Sequence, residues 1–240
     1  MHTPGVKPPG ASAPPVVMIF EAQLSGGDGS DNESLLSADE KERARRFVFE
    51  RDRGRFVAAR AFLRRVLGQF VGEHPADLIF DYSPHGRPSL SAYGPRPDFN
   101  LSHAGEVALL AVAWASPLGI DVEAVTPATD IGAIAGQVMH PNELAAFERL
   151  AQHRRMFAFF RLWTRKEAAL KALGTGLSRD PRSLDVGFGH AAAETLVWLD
   201  GIPFVIREIP APPGHAAALC APRGVPCWSR AASVASSPVP

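Results

Sequence analysis

Two cysteines, two tyrosines and four methionines are all that 240 residues contain of these types. Cys220 and Cys227 stand late in the chain with no ligand pair nearby, so neither a disulfide framework nor a zinc site is expected, and both read as ordinary thiols. Net charge is absent as well. Twenty-five Lys and Arg balance twenty-five Asp and Glu, which argues against a nucleic-acid coat protein and against a polybasic membrane binder. No long hydrophobic run occurs: the uncharged stretches Val107–Ile120 and Ile209–Pro222 fall short of the roughly 18 apolar residues of a spanning helix. Met1–Pro15 carries one Lys, five prolines and no apolar segment, so it reads as neither a signal peptide nor a transit helix, and the cytoplasm is the expected location. Walker A, G-x-G-x-x-G, H-E-x-x-H and EF-hand patterns are missing too, which removes the commonest nucleotide, zinc and calcium readings.

What is present suits a chain that folds around a buried core. Hydrophobic residues make up 46% and charged residues 21%, ordinary proportions for a chain of one to two domains at about 150 residues each. Pro and Gly crowd the start, and Ser, Ala and Pro the end, so 1–15 and 229–240 are expected to be disordered tails around two halves, 16–117 and 118–228. Ser37 with Glu40 forms a capping box that opens a helical pattern running to Phe70, with Gly54 as its expected break. Strands are expected at Leu78–Tyr82, Phe99–Ser102, Val107–Trp114 and Leu118–Glu123, then at Leu184–Phe188, Leu196–Leu199, Phe204–Glu208 and Ala216–Leu219. Pro141 opens one helix, and Arg154–Leu173 forms a longer one stopped by Gly174. Each half is helix plus mostly antiparallel sheet, an α+β fold.

Four places could carry chemistry. In Gly119-Ile120-Asp121-Val122-Glu123 the strand alternation puts both acids on one face and turns Ile120 and Val122 to the core. A divalent cation would relieve the repulsion of two such acids, and oxygen donors favour Mg²⁺; a solvated acid pair on a half-buried strand is the competing reading. Glu167 and Lys171 lie one helical turn apart, with Trp163 one turn before Glu167. Phe159, Leu162, Ala169 and Leu173 can fill the core stripe and leave Glu167 and Lys171 toward a cleft, although on the helix alone a solvated Glu–Lys pair contributing about 0.3–0.5 kcal/mol is the better reading. Ser102 and His103 end a strand before Ala104 and Gly105, where a ligand can approach the backbone. They are no hydrolase dyad, because strand neighbours face opposite ways and no nucleophile elbow surrounds them; phosphate contact fits better. Lys41–Arg65 holds ten basic and three acidic residues, while 97–148 holds seven acidic ones and no Lys or Arg. Guanidinium forks suit phosphate oxygens, and two or three of Arg43, Arg45, Arg46, Arg51, Arg53, Arg55, Arg60 and the turn residue Arg87 are expected to touch a ligand.

In order, Gly86-Arg87-Pro88, Phe99-Asn100-Leu101-Ser102-His103, Gly119-Ile120-Asp121-Val122-Glu123 and Trp163-x-x-Lys166-Glu167-x-x-x-Lys171-x-x-Gly174-x-Gly176-Leu177 resemble the 4′-phosphopantetheinyl transferases of the surfactin-synthetase-activating type. The similarity runs from Ser37 to Phe188 and takes in Glu42-Arg43-x-Arg45-Arg46-Phe47 with Asp52. The resemblance implies two α+β halves related by a pseudo-twofold axis, with coenzyme A in the cleft between them and Mg²⁺ on its pyrophosphate. It implies transfer of the phosphopantetheine arm to a serine hydroxyl of an apo acyl or peptidyl carrier protein, with release of adenosine 3′,5′-bisphosphate. Carried over by residue, Asp121, Glu123 and Glu167 would hold Mg²⁺. Arg43, His85, Gly86, Arg87, Ser102 and His103 would grip the 3′-phosphate and neighbouring groups. Lys171 would approach the pyrophosphate, and Glu167 would take the serine proton directly or through a water. Trp114 and Thr126–Met139 would lie near the docked carrier, and two halves in one chain imply a monomer. Arg87 and Arg165 depart from the pattern, standing where many members carry Lys or another residue. The competing functions are a Mg²⁺-dependent phosphoanhydride hydrolase, using the same acids and arginines, and an inert module that binds coenzyme A or a carrier protein.

Overall fold

The computed structural model describes residues 16–25, 29–91, 96–114, 116–127, 129–188 and 194–229. The expected tails, 1–15 and 229–240, lie outside these residues apart from Ser229. In chain order the elements are β1 (Val17–Gln23), α1 (Gly29–Ser34), α2 (Ala38–Arg45), α3 (Glu50–Val71), β2 (Phe80–Tyr82), β3 (Pro88–Leu90), β4 (Pro97–Ala104), β5 (Val107–Trp114), β6 (Gly119–Ala124), α4 (Ile131–Val138), α5 (Pro141–Glu148), α6 (Gln152–Leu173), β7 (Glu194–Leu199), β8 (Ile202–Glu208), β9 (His215–Pro222) and β10 (Cys227–Ser229). The α+β class is as expected.

Two four-stranded sheets carry the molecule, ordered β10-β1-β5-β4 and β6-β9-β8-β7. Alternation in their strands sorts the apolar side chains into three layers. Val17, Ile19, Leu109 and Ala111 of the first sheet meet Ile120, Val122, Leu219 and Ala221 of the second in a shared core between the sheets. On the far side of the first sheet, Leu110 and Val112 pack against Phe62, Leu63, Val66, Leu67 and Phe70 of α3. On the far side of the second, Phe204, Ile206, Ala216, Ala218 and Cys220 pack against Phe159, Leu162, Ala169 and Leu170 of α6. Each long helix therefore backs one sheet, and the sheets face each other. Both helices end as glycine directs: Gly72 and Gly174 take left-handed φ values of 73° and 72°.

Several expected boundaries moved for identifiable reasons. The helical break falls at residues 46–49, not at Gly54, because Phe49 is extended and opens α3 as its N-cap. Glu40 closes the capping box by accepting the Ser37 N–H at 3.0 Å. Its carboxylate also pairs with Arg60 and, at 2.7 Å, with the Nε of Arg64, pinning α2 to α3. No strand forms over Leu184–Phe188. There the Glu143 carboxylate accepts the Val186 N–H at 2.8 Å, Lys166 donates to the Leu184 carbonyl, Arg165 donates to the Val186 carbonyl, and Gly187 turns at φ 74°. Side chains thus satisfy backbone groups that a ladder would otherwise use. Trp114 is 8% exposed and packs beneath α3, so it is a core residue and not part of a docking face. The strand β10 pairs in parallel with β1, which returns the end of the second half to the sheet of the first.

Candidate active site

The strand β6 is where the halves meet, and its first residue explains how. A Cβ on Gly119 would stand 2.1 Å from the Ala168 carbonyl oxygen and 2.5 Å from the Ala172 nitrogen, so only glycine lets α6 lie this close. From there the strand alternates as its sequence requires. Ile120 and Val122 enter the core between the sheets, while Asp121 and Glu123 turn to α6. The helix answers at one-turn intervals: Lys171 Nζ donates to Asp121 Oδ1 at 2.6 Å, and the Trp163 indole N–H donates to Glu123 Oε1 at 3.3 Å. Glu167 lies between them on that face.

The first half supplies the other wall through β4. Asn100 Oδ1 accepts the Ile120 N–H at 2.8 Å, and Ser102 Oγ donates to Asp121 Oδ1 at 2.8 Å and accepts from Lys171 Nζ at 3.1 Å. Ser102, Asp121 and Lys171 thereby form one triangle across the two halves, with Ser102 and Asp121 buried and Lys171 partly exposed. His103 faces away from Ser102, as strand neighbours must. Next to it, Arg55 of α3 pairs with Glu106 in the β4–β5 turn. Partial burial, with the Lys171 and Arg55 charges nearby, holds the His103 imidazole below its usual pKa.

The acids are held in a setting that opposes their charge. Burial pushes Asp121 up against the pull of Lys171 and Ser102. It pushes Glu123 up as well, with Asp121 adding to the rise and Trp163 opposing it. Glu167 is raised by burial and further by Asp121 and Glu123, against Lys171. Two buried oxygens of this set, Asp121 Oδ2 and Glu167 Oε1, have no hydrogen-bond partner, which is costly for a carboxylate unless a cation or donor reaches it. Among the described residues, no three His, Cys, Asp or Glu side chains are gathered closely enough to hold a metal ion. In this conformation the Lys171 ammonium is the cation on Asp121. The donor set is of the all-oxygen kind that suits a hard divalent ion, and β6 and α6 each carry a carboxylate oxygen with no hydrogen-bond partner.

The remaining expected residues are placed less centrally. Arg43 is exposed on α2, its guanidinium 5.4 Å from the Phe56 ring centroid, and it lines a groove of about 590 Å³ with Asp39, Glu42, Arg46 and Phe47. His85 and Gly86 occupy an exposed turn in which the Gly86 N–H donates to the Ser83 carbonyl at 2.8 Å. Arg87, expected to grip a phosphate, donates to the carbonyls of Lys171 and, at 3.1 Å, of Leu118. Sequence reasoning assigned no contact to Asn100 or Trp163; their partners lie 20 and 40 residues away, and no local spacing announces them. Lys166, adjacent to Glu167 in the motif, points the opposite way. It is fully buried and pairs with Glu143 at 2.7 Å.

The family model described as "4′-phosphopantetheinyl transferase superfamily" matches residues 117–220, and one described as "4′-phosphopantetheinyl transferase, N-terminal" matches 30–115. The chain is 31% identical over 205 residues to a 4′-phosphopantetheinyl transferase of Bacillus subtilis, covering 85% of this chain and 90% of that protein. It is 39% identical over 151 residues to the 4′-phosphopantetheinyl transferase HetI of Nostoc sp., 62% of this chain and 64% of that protein. A relative from Synechocystis sp. is 34% identical over 147 residues, 61% of this chain and 60% of that protein. The matches to these last two therefore span less than two thirds of their own length.

Proposed function

The chain belongs to the 4′-phosphopantetheinyl transferase superfamily, and from that premise we propose that it transfers the phosphopantetheine arm of coenzyme A to a serine hydroxyl of an apo carrier protein, releasing adenosine 3′,5′-bisphosphate. The observation that carries this reading is the triangle of Ser102, Asp121 and Lys171 at the seam, with Glu123 and Glu167 beside it and arginine-bearing α3 alongside. Acids that repel one another and a cation, enclosed together, suit a substrate that brings both a metal and a diphosphate.

In this reading Asp121, Glu123 and Glu167 would hold Mg²⁺, and the ion would supply stabilisation of negative charge on the diphosphate. Lys171 leaves Asp121 for a phosphate oxygen. Ser102 and His103 contact the adjoining phosphate groups, with Arg43, His85 and Gly86 toward the adenosine end. Glu167, with a raised pKa and a free buried oxygen, accepts the proton of the carrier's serine. With both walls of the site in one chain, the protein acts as a monomer.

The test is a loading assay. Incubation with coenzyme A, Mg²⁺ and an apo carrier should give one phosphopantetheine per carrier by intact mass, with one equivalent of adenosine 3′,5′-bisphosphate. Release of that nucleotide with no modified carrier, across several carriers, would reject transfer in favour of hydrolysis. Carrier binding with no product of either kind would leave an inert binding module.

A further inference from the structure

Among the described residues of the first half, Arg87 is the one whose side chain grips the backbone of both α6 and the chain entering β6. Its own position is fixed by a tight turn: Ser83 N–H donates to the Arg87 carbonyl at 2.9 Å, Gly86 N–H to the Ser83 carbonyl at 2.8 Å, and Arg87 N–H to Ser83 Oγ at 3.1 Å. From this base the side chain crosses the seam. One amino group donates to the Lys171 carbonyl in the last turn of α6, where helix carbonyls lack intrahelical partners. The other donates at 3.1 Å to the carbonyl of Leu118, the residue immediately before β6. The aliphatic part of the side chain lies over Gly174, where a Cβ would be 3.7 Å from Arg87 Cδ. That glycine also sends its N–H to the Lys171 carbonyl, at 3.1 Å.

We propose that Arg87 is a positioning residue whose planar guanidinium fixes the register of α6 against β6, and so places Lys171 on Asp121, instead of serving as a phosphate donor. Both amino groups are already engaged with carbonyls, and the two carbonyls belong to the two segments whose relative placement the site needs. A rigid fork spans two acceptors at a fixed separation, whereas an ammonium on a flexible stem does not. The helix macrodipole adds to the preference for a cation at this end of α6. This inference rests on the transferase reading for its kinetic arm only.

The experiment compares wild type, Arg87→Lys, Arg87→Gln and Arg87→Ala in the full chain. Steady-state loading is measured against coenzyme A concentration, and ¹⁹F spectra are recorded after 5-fluorotryptophan labelling, with the Trp163 resonance assigned by Trp163→Phe. Positioning predicts that Arg87→Ala lowers kcat tenfold or more with KM for coenzyme A within threefold. It also predicts a displaced Trp163 resonance, and partial recovery of both effects in Arg87→Lys. A rise of tenfold or more in KM with kcat within twofold would overturn the proposal, as would an unmoved Trp163 resonance in a folded variant. If Arg87→Ala does not fold, Arg87→Gln and Arg87→Lys carry the same comparison. If wild type loads no carrier, the transferase reading fails, and the Trp163 resonance still decides the clasp.

Discussion

Lys166→Met removes a cation from a place that water does not reach. Lys166 is 0% and Glu143 1% exposed at the side chain, and the ammonium also donates to the Pro181 carbonyl at 2.9 Å and to the Leu184 carbonyl. Methionine fills similar volume, so cavity formation is minor and the cost is electrostatic. Glu143 keeps the His140 and Val186 N–H donors, each at 2.8 Å, but loses its counter-charge. Breaking a buried pair from one side costs about 3–5 kcal/mol. At roughly 2–4 °C per kcal/mol for a chain of this size, the midpoint of thermal unfolding should fall by about 6–20 °C. Adding Glu143→Gln to Lys166→Met should cost less than the sum of the single changes, with a coupling of about 1–3 kcal/mol. Circular dichroism melts and urea titrations of the four proteins at pH 5.5 and 8 measure each quantity. A single mutant within about 1 kcal/mol of wild type, or additivity within ~0.5 kcal/mol, would refute the assignment of Lys166 as the clamp on the α5 start and the 181–186 loop.

Glu40 makes a pH prediction. Burial alone would raise its pKa, but Arg60 and Arg64 more than offset this and leave it below the usual carboxylate value. A lowered folded pKa means that its stabilisation is complete above the unfolded value of about 4.3 and is lost as pH falls through the folded value. Glu40→Gln should therefore be much less stable than wild type at pH 7 and approach it below pH ~3; parallel stability curves would contradict the pairing. Gly119→Ala forces a Cβ into the backbone of α6 and should cost at least the 1–3 kcal/mol typical of overpacking, with loading activity falling alongside; a melt unchanged from wild type would show that the helix can move away. Glu167→Ala should abolish turnover while the melting midpoint stays within a few degrees, since Glu167 Oε1 has no partner to lose. Full loading activity in excess EDTA, with no metal restored, would remove the three-carboxylate proposal.

Periodicity exposed the second half of the site better than the first. Asp121 and Glu123 share a face because strand alternation leaves no alternative once Ile120 and Val122 are apolar, and Glu167 and Lys171 share one because four residues make about a helical turn. That these two faces meet depends on Gly119, whose role is a close approach between elements 49 and more residues apart, and no local pattern encodes it. Arginines were the weak point. Composition offered Lys41–Arg65 as the source of two or three phosphate contacts without saying which, and the structure shows Arg60 and Arg64 buried on Glu40 and Arg53 and Arg55 paired with Glu33 and Glu106. A guanidinium satisfies a carboxylate or a carbonyl as readily as a phosphate, so residue type alone does not separate the three. The expected strand at Leu184–Phe188 failed for a related reason: apolar alternation was present, but its ladder partners were replaced by the side chains of Glu143, Arg165 and Lys166.

The short strand β10, laid parallel beside β1 at Val17↔Cys227, has a consequence for biosynthesis. The outer flank of β1 stays bare until translation has passed Ser229, by which time α6 and the whole second sheet have already been synthesised. Nascent chains arrested before that point would display an open strand margin on the first sheet, a natural handle for chaperones and a seed for self-association. Fusions or truncations placed just upstream of Cys227 should accordingly lower yield far more than the loss of one short strand would suggest.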